Sequence, residues 1–86
     1  MKTRLLIIDD HQLVLDGLSA IVKDLKTIEL IGTASNGKDA LTLIEALNPD
    51  LVISDIDMPV MNGIQLTETM KRKFPHIKLM LLTMHN

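Results

Sequence analysis

The sequence predicts an α/β fold with a mostly parallel sheet, and two observations carry that expectation. First, three short apolar runs, at residues 5–8, 51–53 and 79–82, each lead into acidic or hydroxyl-bearing residues: Asp9-Asp10, Asp55 and Thr83. Uninterrupted apolar runs of this length read as strands buried on both faces of a parallel sheet. Second, the segments between the runs carry apolar residues at helical spacing, which gives the order βαβαβαβ and implies right-handed crossovers.

The first strand is predicted over residues 4–9 and the first helix over 12–25, with Val14, Leu18, Ile21, Val22 and Leu25 as its apolar stripe. Asp10 stands near that helix start, where its carboxylate would meet free backbone N–H groups. A second strand spans 28–34, with Gly32 inside it. After a turn at Ser35-Asn36-Gly37, a second helix runs over 38–47 on Ala40, Leu41, Ile44 and Leu47. Pro49 stops that helix, because proline cannot continue it. The third strand, 51–55, is the most apolar and so the expected centre of the sheet. A loop over 57–63 follows, in which Pro59 biases Met58 towards extended geometry and Gly63 is expected to permit a tight turn. A third helix is predicted over 64–73 on Leu66 and Met70, and a fourth strand over 77–83.

Composition narrows the function. At 86 residues the chain is one small domain, and a hydrophobic fraction of 47% excludes disorder. A net charge of −2 gives no electrostatic case for nucleic acid or a membrane surface. With no cysteine, no signal peptide and no run of membrane-spanning length, the expectation is a soluble, cytoplasmic protein. Phe74 is the single aromatic residue, so aliphatic side chains and the six methionines must fill the core.

Ligands of such sheets bind beyond the carboxyl ends of the strands. Asp9, Asp10, Asp55 and Thr83 therefore converge on one mouth, and gathering like charges is costly unless a cation neutralises them. A divalent metal with phosphate chemistry is the natural reading. His11, His76 and His85 show no metal-ligand spacing and read as surface residues, and Lys71-Arg72-Lys73 reads as a solvated helix end.

Several motifs in order, Leu6-Ile7-Ile8-Asp9-Asp10-His11, Asp55-Ile56-Asp57-Met58-Pro59, Met61-Asn62-Gly63 and Leu81-Leu82-Thr83, resemble the receiver domain of bacterial two-component response regulators. The Asp-Asp-His opening, the Ala34-Ser35-Asn36-Gly37 turn and the Leu82-Thr83-Met84-His85 ending look like the NarL/FixJ (LuxR-type) subgroup, and the likeness covers the whole chain. The resemblance implies a flavodoxin-like (CheY-like) doubly wound sheet of strand order 2-1-3-4-5. It implies Asp55 as the phosphoacceptor for a sensor histidine kinase and Mg²⁺ held by Asp10 and Asp55 directly. Asp9 would act through water, Asp57 through its backbone carbonyl, and Thr83 as the switch residue that binds the phosphoryl group. The parent protein would be a DNA-binding transcriptional regulator, and the chain itself not a turnover enzyme.

Against that family the chain is expected to be truncated after the fourth strand, lacking the last helix, strand and helix and the family's lysine. Losing a few hundred Å² of apolar burial would forfeit about 5–10 kcal/mol at ~25 cal/mol/Å², comparable with a domain's total stability of ~5–15 kcal/mol. Homo-oligomerisation through the exposed fourth-strand edge, or by exchange of elements, is the expected response. A phosphorylation-incompetent assembly fragment is the alternative. A haloacid-dehalogenase-like phosphatase is a remote one: Asp55-Ile56-Asp57 resembles its Asp-x-Asp motif, but Pro59 stands where that family has Thr or Val.

Overall fold

In the computed structural model, which describes residues 2–58 and 60–82, the predicted alternation is present. Among the described residues the order is β1 (Thr3–Ile8), α1 (Gln12–Lys23), β2 (Ile28–Ala34), α2 (Gly37–Leu47), β3 (Leu51–Asp55), α3 (Gly63–Lys73) and β4 (Lys78–Leu82). The sheet order is β2-β1-β3-β4 and every pairing is parallel. Thr83 and Pro59, with the roles expected of them, lie outside the described residues. No described helix is long and apolar enough to cross a membrane.

Strand alternation sorts the apolar residues onto two faces. Leu6 and Ile8 of β1 join Val52, Ala40, Ile44, Leu66 and Met70 under α2 and α3. Leu5 and Ile7 point the other way, onto Leu15 and Val22 of α1. The sheet is thus doubly wound, with one helix on one face and two on the other. Leu6, Ile8, Ile44 and Leu66 are 0–1% exposed. Each such burial contributes roughly 1.5–3 kcal/mol.

Four expectations need correction. Helix α1 buries Leu15 and Val22, whereas Ile21 and Leu25 are 63% and 44% exposed, so the inward stripe is rotated from the one predicted. Periodicity alone could not choose, because apolar residues occupy more than half of that helix's circumference. Helix α1 also ends at Lys23 rather than Leu25: the Asp24 and Leu25 amides turn back to Ile21 and Val22 carbonyls at 3.3 and 2.9 Å. The N-cap of α1 is His11, not Asp10. Gly63 has no positive φ; its role is close approach, since a Cβ there would lie 2.8 Å from Ile56 Cα and 3.0 Å from the Asp55 carbonyl oxygen.

That close approach fixes the loop beyond β3. The Gly63 amide donates to the Ile56 carbonyl at 2.8 Å, bringing the start of α3 against the strand end. Asn62 caps α3 in a reciprocal capping box: its side chain accepts from the Gln65 amide at 2.9 Å, and Gln65 Oε1 accepts from the Asn62 amide at 3.0 Å. From the other side, Gly37 at the start of α2 lies so close to Met61 that a Cβ would meet its side chain and carbonyl at 2.8 Å. Within the loop, Val60 holds φ at 70°, a conformation that costs an L-residue roughly 1–2 kcal/mol.

Two substitutions test this clamp. Gly63→Ala should destabilise the chain by about 1–3 kcal/mol through overpacking against rigid backbone. Asn62→Ala should cost about 1 kcal/mol from the lost cap. Urea unfolding midpoints should fall with the slope unchanged; an unaltered midpoint for Gly63→Ala would refute the close-packing role.

Candidate metal and phosphoryl site

The carboxyl ends of β1 and β3 lie side by side because the two strands pair in parallel, with Ile8 opposite Ser54. The next residues on each strand are therefore neighbours at the same rim. Asp9 is 3% and Asp55 4% exposed. Asp10 follows in the connection to α1, its side chain about one-third exposed. Ligand atoms of Asp9, Asp10, His11 and Asp55 all lie within 4.8 Å of one another.

Each carboxylate is held differently. Asp9 Oδ1 accepts the His11 backbone N–H at 2.8 Å, an Asx-type turn that reverses the chain into α1. The Asp9 amide in turn donates to the Ala34 carbonyl at 3.0 Å, tying the strand end to β2. Asp55 Oδ1 accepts the Asp57 amide at 3.3 Å, while its backbone carbonyl accepts the buried Ser54 hydroxyl at 2.9 Å. Asp57 itself is exposed, and its side chain does not join the cluster among the described residues.

His11 is the member that sequence spacing missed. Its side chain is 59% exposed, as a surface residue should be, yet Nδ1 lies 2.7 Å from Asp9 Oδ1, 3.1 Å from Asp10 Oδ1 and 3.9 Å from Asp55 Oδ2. The hydrogen bond to Asp9, followed by the charge of Asp10, holds the imidazole pKa above its ordinary value. The available signal was adjacency: a residue two positions after an Asx-type aspartate is folded back towards that carboxylate. Among the described residues, no lysine or arginine nitrogen lies within 4.0 Å of these carboxylates, so His11 is their nearest basic group.

Three carboxylates that share so small a space, two of them buried, repel one another unless a positive charge joins them. Their oxygens, with one ring nitrogen, form a donor set that can hold a metal ion.

Comparison with known proteins agrees with this geometry. The model of the response regulator receiver domain matches residues 5–86. The transcriptional regulatory protein DegU of Brevibacillus brevis is 34% identical over 85 residues, covering 99% of this chain and 36% of DegU. The response regulator protein VraR of Staphylococcus epidermidis is 37% identical over 83 residues, covering 96% of this chain and 40% of VraR. The chain thus spans about two-fifths of the length of these curated relatives. Among solved structures, the signal receiver domain of the response regulator NarL from Mycobacterium tuberculosis superposes with a TM-score of 0.92 at 29% identity, over 99% of this chain and 68% of that one. The isolated receiver domain of RcsB from Salmonella enterica serovar Typhimurium, with phosphomimetic BeF3-, gives 0.92 at 27% identity, over 100% and 64%. Receiver domains are signalling modules rather than turnover enzymes, and the relatives here are NarL/LuxR-type regulators. With the alternating fold, the parallel strand order and the family match in agreement, the chain belongs to the response regulator receiver domain family.

Proposed function

We propose that the chain accepts a phosphoryl group on Asp55 from the phosphohistidine of a sensor kinase, with Mg²⁺ as the assisting ion. The observation that carries this reading is the gathering of Asp9, Asp10 and Asp55 ligand atoms within 4.8 Å of one another. A carboxylate at the end of β3 is already an anion, so it needs no base to act as a nucleophile. In the transfer, an Asp55 carboxylate oxygen attacks phosphorus, the N–P bond of the phosphohistidine breaks, and the bonding pair leaves with the imidazole. Oδ1 is engaged by the Asp57 amide, and Oδ2 lies 3.9 Å from His11 Nδ1.

Asp10 and Asp55 would hold the ion directly, Asp9 through water and Asp57 by its backbone carbonyl, a hard oxygen set suited to Mg²⁺. When bound, Mg²⁺ supplies positive charge against the carboxylates and the transferred phosphoryl oxygens. The chain's own part is positioning: the Ala34 and Asp57 contacts hold Asp9 and Asp55 in place, and the packing of Gly63 fixes the strand end beneath them. Thr83 is assigned the phosphoryl-binding switch role on resemblance. In a longer regulator, the new charge-assisted bonds at that group would drive the change passed on to an effector part.

Exposure of the folded chain to Mg²⁺ and a small acyl phosphate donor tests this. The intact mass should rise by one phosphoryl group, and the gain should vanish in Asp55→Asn or when the ion is chelated. A folded wild-type chain that gains no mass would contradict phosphotransfer and favour the interaction-fragment reading.

The reading extends to self-association. Among the described residues β4 pairs only with β3, and Met80 on it is 50% exposed, which leaves an edge able to pair with a second copy. Light scattering of the 86-residue chain should give a mass above the monomer at micromolar concentration. A cooperatively unfolding monomer would end that part of the proposal.

A further inference from the structure

The cluster at the sheet rim contains one group that an oxygen-only site does not need. His11 occupies the N-cap of α1 in extended conformation, with φ −100° and ψ 108°, and its side chain makes no capping hydrogen bond. Asn36 and Asn62 cap the other two helices with their side chains. Placing histidine there forgoes roughly 1 kcal/mol of cap stabilisation. The ring is instead turned over the mouth, where Nδ1 stands 2.7, 3.1 and 3.9 Å from oxygens of Asp9, Asp10 and Asp55.

Those separations bear on metal binding. Donors that share one ion at about 2.0–2.2 Å sit about 3–3.5 Å from their neighbours and about 4 Å from the donor opposite. The Nδ1 distances to Asp10 and Asp55, 3.1 and 3.9 Å, fall in that range. The 2.7 Å contact with Asp9 is instead a hydrogen bond that ligation would have to break, moving the two groups apart so that one ion comes within reach of the nitrogen and the carboxylates. Carboxylate and water ligands suit Mg²⁺, whereas imidazole suits zinc, nickel and related ions.

We propose that His11 Nδ1 is a direct ligand at this centre for a transition metal of the zinc type, giving the site a second class of ion beside Mg²⁺. This rests on the reading that Asp9, Asp10 and Asp55 hold a divalent ion. On ligation the Nδ1 lone pair enters the metal bond, any proton on it passes to solvent, and Nε2 keeps its hydrogen on the exposed side of the ring. The two ions compete, because both draw on Asp10 and Asp55.

The test uses metals alone on the full chain with ¹⁵N-labelled histidine. Zn²⁺ should shift the Nδ1 signal of His11 as a ligated nitrogen, whereas Mg²⁺ should not. By calorimetry, His11→Ala and His11→Gln should each weaken Zn²⁺ binding by about tenfold more than they weaken Mg²⁺ binding. His76→Ala serves as the control for adventitious zinc and should leave the His11 shift intact. If Zn²⁺ binds in an Asp55-dependent way but the His11 signal stays put, or if both His11 variants keep wild-type Zn²⁺ affinity, the inference is overturned and the Mg²⁺ reading survives. If neither ion binds the wild-type chain in a way that Asp55→Asn removes, the metal reading fails and takes this inference with it.

Discussion

The structure depends on an electrostatic constraint imposed by its backbone. Parallel pairing of β1 with β3 brings the ends of both strands to the same rim, so Asp9 and Asp55 become neighbours whatever their charge. Asp10 adds a third carboxylate within the same 4.8 Å. Two unit charges about 5 Å apart repel by between ~1 and ~3.5 kcal/mol, depending on how much water shares the site. The fold therefore holds a standing cost at this rim, which a cation relieves. His11 supplies a partial answer from within the chain, and its raised pKa is the other side of the same electrostatics.

Holding like charges together requires stiff supports, and the surroundings of Asp55 supply them. Beneath it lies the fully buried part of β3, with Val52 and Ser54 at 0% exposure. Beyond it, the chain must leave the strand, cross the rim and enter α3 without drifting. The backbone of Gly63 packed on Ile56, the reciprocal Asn62–Gln65 cap and the contact of Met61 with Gly37 fix that path at three points. The Val60 backbone carries strain between them. Strained residues are retained where their surroundings over-determine them, often beside functional sites.

Much of this was legible in the sequence. Apolar runs too short for helices, separated by helical spacing, gave the strand and helix order, and the position of the acids after each run gave their convergence on one rim. What remained hidden follows from the limits of periodicity. The stripe of α1 was rotated because Leu15 and Ile21 are equally apolar, and only packing against Leu5 and Ile7 distinguishes them. Asp10 reads as a cap in one dimension, but the Asx-type turn at Asp9 hands that position to His11. Gly63 was expected to bend the chain; it is needed instead for the space it leaves, which depends on residues seven positions earlier. His11 lacked any spacing signature because its partners are the adjacent aspartates and one from another strand.

Three carboxylates share one pocket at the sheet rim, at a cost that a cation removes. Its most direct measure is the unfolding stability of Asp10→Asn beside the wild type, with and without Mg²⁺. Without the ion the variant should be the more stable of the two, because one repelling charge is gone. Mg²⁺ should stabilise the wild type, as a ligand of the native state must, and stabilise the variant far less. A variant less stable than wild type without the ion, together with a wild type indifferent to Mg²⁺, would show that the carboxylates carry no such cost.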